Sequence, residues 1–578
     1  MFWACKFCNK NCTSKTNYKN QQKSDQPIAK SQYMNYIITY TIYVIIISVL
    51  MGLTTWKLFK KMGYNPLLSF VPFYNYFIIL KETNHSKWWA ILSYLPIVGP
   101  IMMSAFHIFL MNKFGKRGFI NGLLTVILPF IFMATVNYSK DPQIETEEEE
   151  EDGKKKETFL GSVTFAVVFA TIIHAFITQP FGIPTGSMER TLLVGDFLFV
   201  NKWAYGYRMP MRPVALPFLQ GTIFDTGQKG NPKDDPKSYV DAVKLPYLRI
   251  PGYDEIQRYD IVVFNYPQDS VHTAIDRKDP YVKRCIGTPG DVVEFRAGRL
   301  YVNNAPEKIL GDEYQQHAYL VKSNSQLDIP QLYKAYGFLP VQEEQTNAGF
   351  EYTFQGLTAQ TAKEIKALPS VSEMNEVLEE KGAGAVRFKV NAERSALTKN
   401  IDTVNSIYPI NKPWNQDWYG PLTIPKKGDV VKLDQETLPT YRWIISEYEH
   451  NKLENKGGKI YVNGQETNQY TIKQNYYMMI GDNRDASLDA RFFGVVPEEN
   501  IVGRPMFTWL SVEGLFSDAN STYQAPGKKI RWDRMFKVTN TGEANKTSYW
   551  WVAVLILVLF FGWDYFANLF KKKKESEE

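Results

Sequence analysis

Hydrophobic positions in this chain follow two different rhythms, and the rhythms divide it. Apolar stretches without a charged residue occupy 36–56, 88–111, 119–136 and 159–178, with a shorter Pro-containing stretch at 66–80. Another apolar run, at 548–570, carries Trp and Tyr at both ends and is followed directly by Lys571 to Lys574. Twenty helical residues at 1.5 Å rise cover a hydrocarbon core of roughly 30 Å, so the long runs predict membrane helices. The 66–80 stretch is short enough to be re-entrant or interfacial. Between 179 and 545 the rhythm shortens. FLFV (197–200), RYDIVVFNYP (258–267), DPYVKRCIGTPGDVVEFRAGRLYVN (279–303) and YYMMI (476–480) have strand length and turn residues at their ends, predicting a mainly β region. FLFV reads as a buried strand.

Charge orients these elements. Lys154 to Lys156 precede the 159–178 run and Lys571 to Lys574 follow the last one, so both flanks belong on the cytoplasmic side and residues ~180–545 on the outer side. Upstream the rule conflicts with itself. Lys113, Lys116 and Arg117 also ask for the cytoplasm, yet a crossing by 119–136 would carry Lys154 to Lys156 outside; the number of crossings there stays open. The predicted organisation is a disordered polar tail (1–35), an N-terminal multi-pass membrane domain of unknown role (36–138), a charged cytoplasmic linker (139–158), an anchor (159–178), an outer β domain (179–545), a final transmembrane helix (548–570) and a cytoplasmic tail (571–578). Within the outer domain, 207–257 reads as an extended surface loop and 305–470 as a largely β insertion with a helical patch about 360–381. PGDVVEF…GRLYVNN (289–304) is echoed by KGDVVKL…GKIYVNG (427–464), suggesting hairpins of similar build.

Composition removes several classes of function. A net charge of +6 over 578 residues argues for no nucleic-acid partner, and four Cys are too few for a disulfide scaffold. Cys5, Cys8 and Cys12 lack a nearby fourth ligand and no H-E-x-x-H occurs, so no metal or other cofactor is expected.

The chemistry concentrates in three segments. A Pro-Thr-Gly-Ser turn (184–187) directly follows the anchor, and glycine beside a serine lets backbone N–H groups approach an oxyanion. On the 279–287 stretch, period-2 alternation puts Tyr281, Lys283 and Cys285 on one face, which makes Lys283 a candidate buried, neutral amine. Cys285 reads as a packing residue. The 481–491 segment packs Asp482, Arg484, Asp485, Ser487, Asp489 and Arg491 between apolar strands, a specified polar network rather than a solvated face. The six His lie outside these segments, which disfavours a Ser-His-Asp triad.

Taken together and in order, these segments resemble the bacterial type I signal peptidases, membrane-bound serine proteases with a Ser/Lys dyad. Pro184-Thr185-Gly186-Ser187-Met188 matches the family's serine box, Tyr281 to Arg284 with Gly287 to Asp291 its lysine box, and Gly481 to Arg491 its last box. The resemblance covers about 159–510, loosely over 305–470. It implies a signal-peptidase-like, β-barrel-like catalytic domain with transmembrane helices, cleaving signal peptides from secretory preproteins after small residues of A-x-A type at the outer face of the cytoplasmic membrane. It implies Ser187 as nucleophile, Lys283 as general base, Ser487 as the hydroxyl orienting the amine, Asp489 and Arg491 as a bracing ion pair with Asp482 in support, and the Ser187 N–H with the Thr185 side chain as the oxyanion hole. Phe181, Ile183, Met188, Leu192, Tyr281 and Val282 would line shallow substrate pockets. Membrane lipid and the protein-translocation channel are the implied further partners. Thr185, Arg190, Tyr259 and Ala490 depart from the usual Ser, Pro, Gly and Ser. A self-cleaving Ser/Lys protease is disfavoured by the two anchors, and a catalytically silent scaffold by the intact Ser187, Lys283 and Ser487.

Overall fold

The computed structural model describes residues 11–144, 167–224, 235–269, 274–307, 315–336, 340, 342–383, 386–390, 397–401, 407–516 and 528–539. The acidic stretch from 145 onward, residues 159–166, Cys5, Cys8 and the 548–570 run lie outside them. The chain divides into two units, one formed by Met1–Ile177, Arg208–Ile250 and Val271–Arg277, the other by Thr178–Tyr207, Pro251–Ser270 and Lys278–Glu578.

The first unit is helical. Helix α1 (Asn11–Lys61) extends back into the segment expected as a disordered tail, and its Ser31–Lys61 part is long and apolar enough to cross a membrane. Ile37, Ile38, Ile42, Ile45, Ile46 and Leu53 are about half exposed while Met51, Leu58 and Phe59 are buried. Such a continuous exposed apolar stripe suits lipid rather than water. The 66–80 stretch forms a 3₁₀ turn (Pro66–Phe70) and then α2 (Tyr74–Glu82). Its two ends meet, because the Tyr64 hydroxyl donates to Glu82 at 2.8 Å. Helix α3 (Val98–Lys113) brings Lys113 to the same Glu82 at 2.9 Å.

The next apolar run does not continue straight. Helices α4 (Phe119–Ile127) and α5 (Pro129–Asn137) are bent by 116° at a break where Pro129 supplies no N–H. Helix α5 ends against α1: Asn137 Oδ1 accepts from the Lys57 N–H at 2.9 Å, and Lys61 meets Asp141 at 2.7 Å. Both ends of 119–136 therefore gather at the lysine-bearing end of the bundle. The apolar helix Val167–Ile177 (α6) adds Val168, Ile172 and Phe176 to the same core. The 207–257 segment is expected as an extended surface loop, but described parts of it pack at the opposite end: Leu245 and Leu248 bury against Tyr36, with Tyr33, Tyr40 and Met209 around them, and the Ile97 N–H donates to Pro213 at 2.8 Å. Its Arg212 is buried and ion-paired with Asp241 at 2.9 Å.

The second unit is mainly β. Its principal strands are β1 (Thr178–Gly182), β2 (Asp196–Asn201), β3 (Ile261–Asn265), β4 (Pro280–Gly287), β5 (Val292–Arg296), β6 (Arg299–Val302), β7 (Gln316–Ser323), β8 (Gln342–Thr346), β9 (Gly349–Thr358), β10 (Val371–Glu376), β11 (Tyr419–Thr423), β12 (Tyr476–Ile480) and β13 (Ile501–Glu513). A curled antiparallel sheet runs β1-β2-β13-β3-β4-β12. Val262, Phe264, Cys285, Ile286 and Met478 to Ile480 are fully buried between its strands and the β5–β6 hairpin, the signature of strands covered on both sides. FLFV differs from its expected state: Leu198 and Val200 are buried, whereas Phe197 and Phe199 lie half-buried on the other face against Phe507 and Trp509. A strand with aliphatic residues on its buried face and aromatics on the other looks uniformly apolar in sequence.

The insertion contributes a sheet of order β8-β9-β7-β10 with helices α7 (Ile329–Tyr336) and α8 (Ala359–Lys366). Thr358 caps α8 by accepting from the Thr361 N–H. The helical patch is shorter than expected, because Pro369 disfavours continuation and Val371–Glu376 pairs with β7 instead. The echoed motifs also differ in pairing. Strands β5 and β6 pair with each other, while Val430–Lys432 pairs with Gln469–Thr471 and Lys459–Val462 with Leu453–Lys456.

Candidate active site

The Pro-Thr-Gly-Ser turn closes as one 3₁₀ turn, Gly186–Met188, with Thr185 extended in front of it. Ser187 is 8% exposed and Lys283 4%. Strand β4 is held between β3 and β12, with Lys283 opposite Val262, and this delivers the amine to the turn. Lys283 Nζ donates to Ser187 Oγ at 2.6 Å and lies 5.4 Å from the centre of the Tyr281 ring. No carboxylate hydrogen-bonds this amine among the described residues. Burial pushes the Lys283 amine down to about 8, against a smaller opposing pull from the charges of Asp489 and Asp482. A buried hydroxyl hydrogen-bonded to an amine that is largely deprotonated in mildly alkaline solution is a nucleophile with its base in place.

The last box surrounds this pair. Burial alone would push the Asp482 carboxyl up, but a bidentate pair with Arg284 (2.6 and 2.7 Å) and the Thr191 hydroxyl (2.6 Å) hold it below the usual carboxylate range. Asp489 and Arg491 form a fully buried bidentate pair at 2.8 and 2.9 Å, and Asp489 also accepts from the Gly481 N–H at 3.3 Å. Asp489 and Arg491 thus pair as expected, and Asp482 hydrogen-bonds Arg284 and Thr191 but not Lys283. Ser487 differs. Its hydroxyl is buried with no hydrogen-bond partner among the described residues, and it packs against Gly481, where a Cβ would collide with both Ser487 and the Ser187 carbonyl. The hydroxyl lies beside the nucleophile's turn without reaching the lysine.

The pocket residues divide into two groups. Ile183, Met188 and Leu192 are buried in one cluster with Leu198 and Ile261, and Val282 packs on it. Tyr281 instead stacks on Tyr266 at 4.7 Å, next to Phe493, and Phe181 is half-buried in β1 opposite Leu198. The Thr185 side chain is exposed and makes no hydrogen bond among the described residues. Cys285 is free and fully buried, with burial pushing its thiol up, so it packs rather than reacts. Of the departures, Tyr259 has φ of 77° and Arg190 of 69°. The first is a left-handed conformation that glycine adopts without strain, which explains why the resembled motif carries Gly there. Arg190 reaches the insertion, donating to the Tyr336 carbonyl at 2.9 Å.

Sequence reasoning missed three residues of the site. Asn483 contacts the nucleophile's turn, Thr191 completes the Asp482 pair, and Gln316 of the insertion pairs with the 482–484 backbone. Each partner lies more than a hundred residues away along the chain, and no local pattern signals such a contact.

Comparison with known proteins yields two family matches. A family model described as signal peptidase, peptidase S26, matches residues 156–380 and 420–510, and a family of unknown function, DUF5684, matches 67–145. The chain is 26% identical to a signal peptidase I of Buchnera aphidicola subsp. Schizaphis graminum over 61% of its own length and 73% of that protein. It is 26% identical to a signal peptidase I of Haemophilus influenzae over 61% of its length and 70% of that protein. A signal peptidase I of Pseudomonas aeruginosa is 36% identical over 26% of this chain and 41% of its own.

Proposed function

The chain belongs to the signal peptidase, peptidase S26, family, and from that premise we propose that Ser187 and Lys283 carry out its reaction. It is a membrane signal peptidase, a serine endopeptidase acting on the signal peptides of secretory preproteins. Neutral Lys283 takes the proton from Ser187 Oγ as that oxygen attacks the scissile carbonyl carbon. The carbonyl oxygen, now an oxyanion, faces the Ser187 N–H and the Thr185 hydroxyl. Collapse of the tetrahedral intermediate breaks the C–N bond, and the Lys283 ammonium gives its proton to the leaving amine. Water, deprotonated by the same amine, then hydrolyses the acyl-enzyme. The observation that carries this reading is the 2.6 Å contact of two buried groups, Lys283 Nζ and Ser187 Oγ. The Ile183, Met188, Leu192 and Val282 cluster behind the turn supports pockets for small residues of A-x-A type.

The same reading extends to the surroundings. The half-buried aromatics Phe197, Phe199, Phe507 and Trp509 support membrane lipid as a partner of the catalytic unit. The bundle is read as multi-pass, its lysine-bearing end (Lys60, Lys61, Lys113) cytoplasmic and the end packed by 208–250 on the outer side, where a translocation channel would present its substrates. The test of the reaction is cleavage of a preprotein by the purified full chain in detergent. Wild type is expected to release the signal peptide, with Ser187→Ala and Lys283→Arg at least a thousandfold slower; processing by Ser187→Ala at the wild-type rate would refute the assignment.

A further inference from the structure

One buried residue touches the nucleophile's turn twice and has no part in the reaction just described. Asn483 is fully buried. Its side-chain Nδ2 donates to the Gly186 carbonyl at 3.2 Å, and its backbone N–H donates to the Ser187 carbonyl, also at 3.2 Å. These are the carbonyls of the two peptide units that flank Ser187. A peptide unit is planar, with its C=O and N–H pointing in opposite directions. Holding the Gly186 oxygen therefore fixes the direction of the Ser187 N–H, which is the proposed backbone donor to the oxyanion. Holding the Ser187 oxygen fixes the following unit and, with it, the Cα–Cβ direction along which Oγ is presented.

Asn483 is itself held from behind. The Gln316 N–H donates to the Asp482 carbonyl at 3.1 Å, and the Arg484 N–H donates to the Gln316 carbonyl at 3.1 Å, so the first residue of β7 pairs with both sides of Asn483. On the other flank Gly481 allows the close approach, since any side chain there would strike the Ser187 carbonyl. We propose that Asn483 is the positioning residue of the oxyanion-binding peptide, aligning the Ser187 N–H through the Gly186 carbonyl, with Gln316 of the insertion as its support. The proposal rests on the reading of Ser187 as nucleophile and of its N–H as an oxyanion donor.

Removing one oxyanion donor outright costs about 10²–10³ in kcat, and a donor left in place but misaligned costs less. Asn483→Asp, which replaces the donor with an acceptor of the same shape, and Asn483→Ala are therefore expected to lower kcat about 10- to 100-fold. KM stays within about twofold, because the substrate's ground-state contacts are untouched. Asn483→Ser, which keeps a short polar group, serves as the third variant, and the comparison uses the variants that retain the wild-type melting temperature. The readout that a purely structural role would not move is inhibition by a peptide aldehyde, whose hemiacetal oxygen occupies the oxyanion position: its affinity should fall in parallel with kcat. Cleavage by Ser187→Ala overturns the underlying site reading. With Ser187→Ala inactive, folded Asn483 variants that keep wild-type kcat, or that lose kcat while binding the aldehyde as wild type does, overturn this inference alone.

Discussion

A lysine can serve as the base only if the fold withholds what would keep it charged. An ordinary lysine, with a pKa near 10.4, is neutral in roughly 0.1% of molecules near pH 7.5. Here burial pushes Lys283 down to about 8, and no carboxylate among the described residues hydrogen-bonds it to restore the charge. Only the neutral amine accepts the Ser187 proton, so kcat/KM is expected to rise tenfold per pH unit below about 8 and to level off above it; a steady-state profile from pH 6 to 10 checks this. The same depression lowers stability. Between the folded pKa near 8 and the unfolded one, the unfolded chain binds the extra proton, so the penalty is full below pH 8 and fades as pH rises to about 10.5. A shift of this size corresponds to about 3 kcal/mol, so Lys283→Met should melt at higher temperature than wild type at pH 7, with the gap closing by pH 10.5. Equal melting temperatures at pH 7 would show that the amine is not desolvated.

Among the elements, the loop 481–491 ties the reaction to the insertion. Asp485 illustrates the coupling: its Oδ2 accepts from the Ala318 N–H of β7 at 2.6 Å, and its carbonyl accepts from Gln355 of β9 at 3.2 Å. Burial first, and then the nearby charge of Asp417, push its carboxyl up to about 7, while Arg491 pulls the other way and Glu376 adds to the rise. A carboxyl whose pKa is raised on folding contributes fully at low pH and loses that contribution between its unfolded value near 4 and its folded value near 7. Asp485→Asn keeps an oxygen for Ala318 without the charge, so its melting temperature should match wild type at pH 4, exceed it increasingly up to pH 7, and stay ahead by a constant margin above; scans at pH 4, 5.5, 7 and 8 follow the difference. The elements themselves were legible where one signal dominates. Alternation on β4 put Lys283 among apolar neighbours, and the polar density of 481–491 marked a network before any contact was known. FLFV misled because Phe on the outer face and Leu and Val on the inner face are equally apolar in sequence. The 360–381 patch misled because β10 is polar on its exposed face and takes its pairing from β7. Asn483 lay inside the marked 481–491 segment and Gln316 outside it, but the role of neither was legible, since an ordinary amide acquires it only from a partner elsewhere in the chain.

For the molecule as a whole, the bend between α4 and α5 offers a way to reconcile the positive charges. A straight helix over 119–136 would put Lys113, Lys116 and Arg117 on the side opposite the linker, whereas a run bent by 116° whose exit hydrogen-bonds Lys57 would let them share its side. The 66–82 segment, closed by Tyr64 and Glu82, would likewise add no crossing. Helices α1 and α3 both run from the end where Tyr36 packs on Leu245 and Leu248 to a lysine-bearing end. This arrangement yields a sidedness experiment. In a chain with its four native Cys replaced, Lys116→Cys and Val240→Cys each place one thiol at an exposed position. In cells with an intact cytoplasmic membrane, a membrane-impermeant maleimide should modify the thiol at 240 directly and the one at 116 only after permeabilisation. Immediate modification at both would mean that the bent pair crosses after all, and Lys154 to Lys156 could then no longer share a side with Lys116.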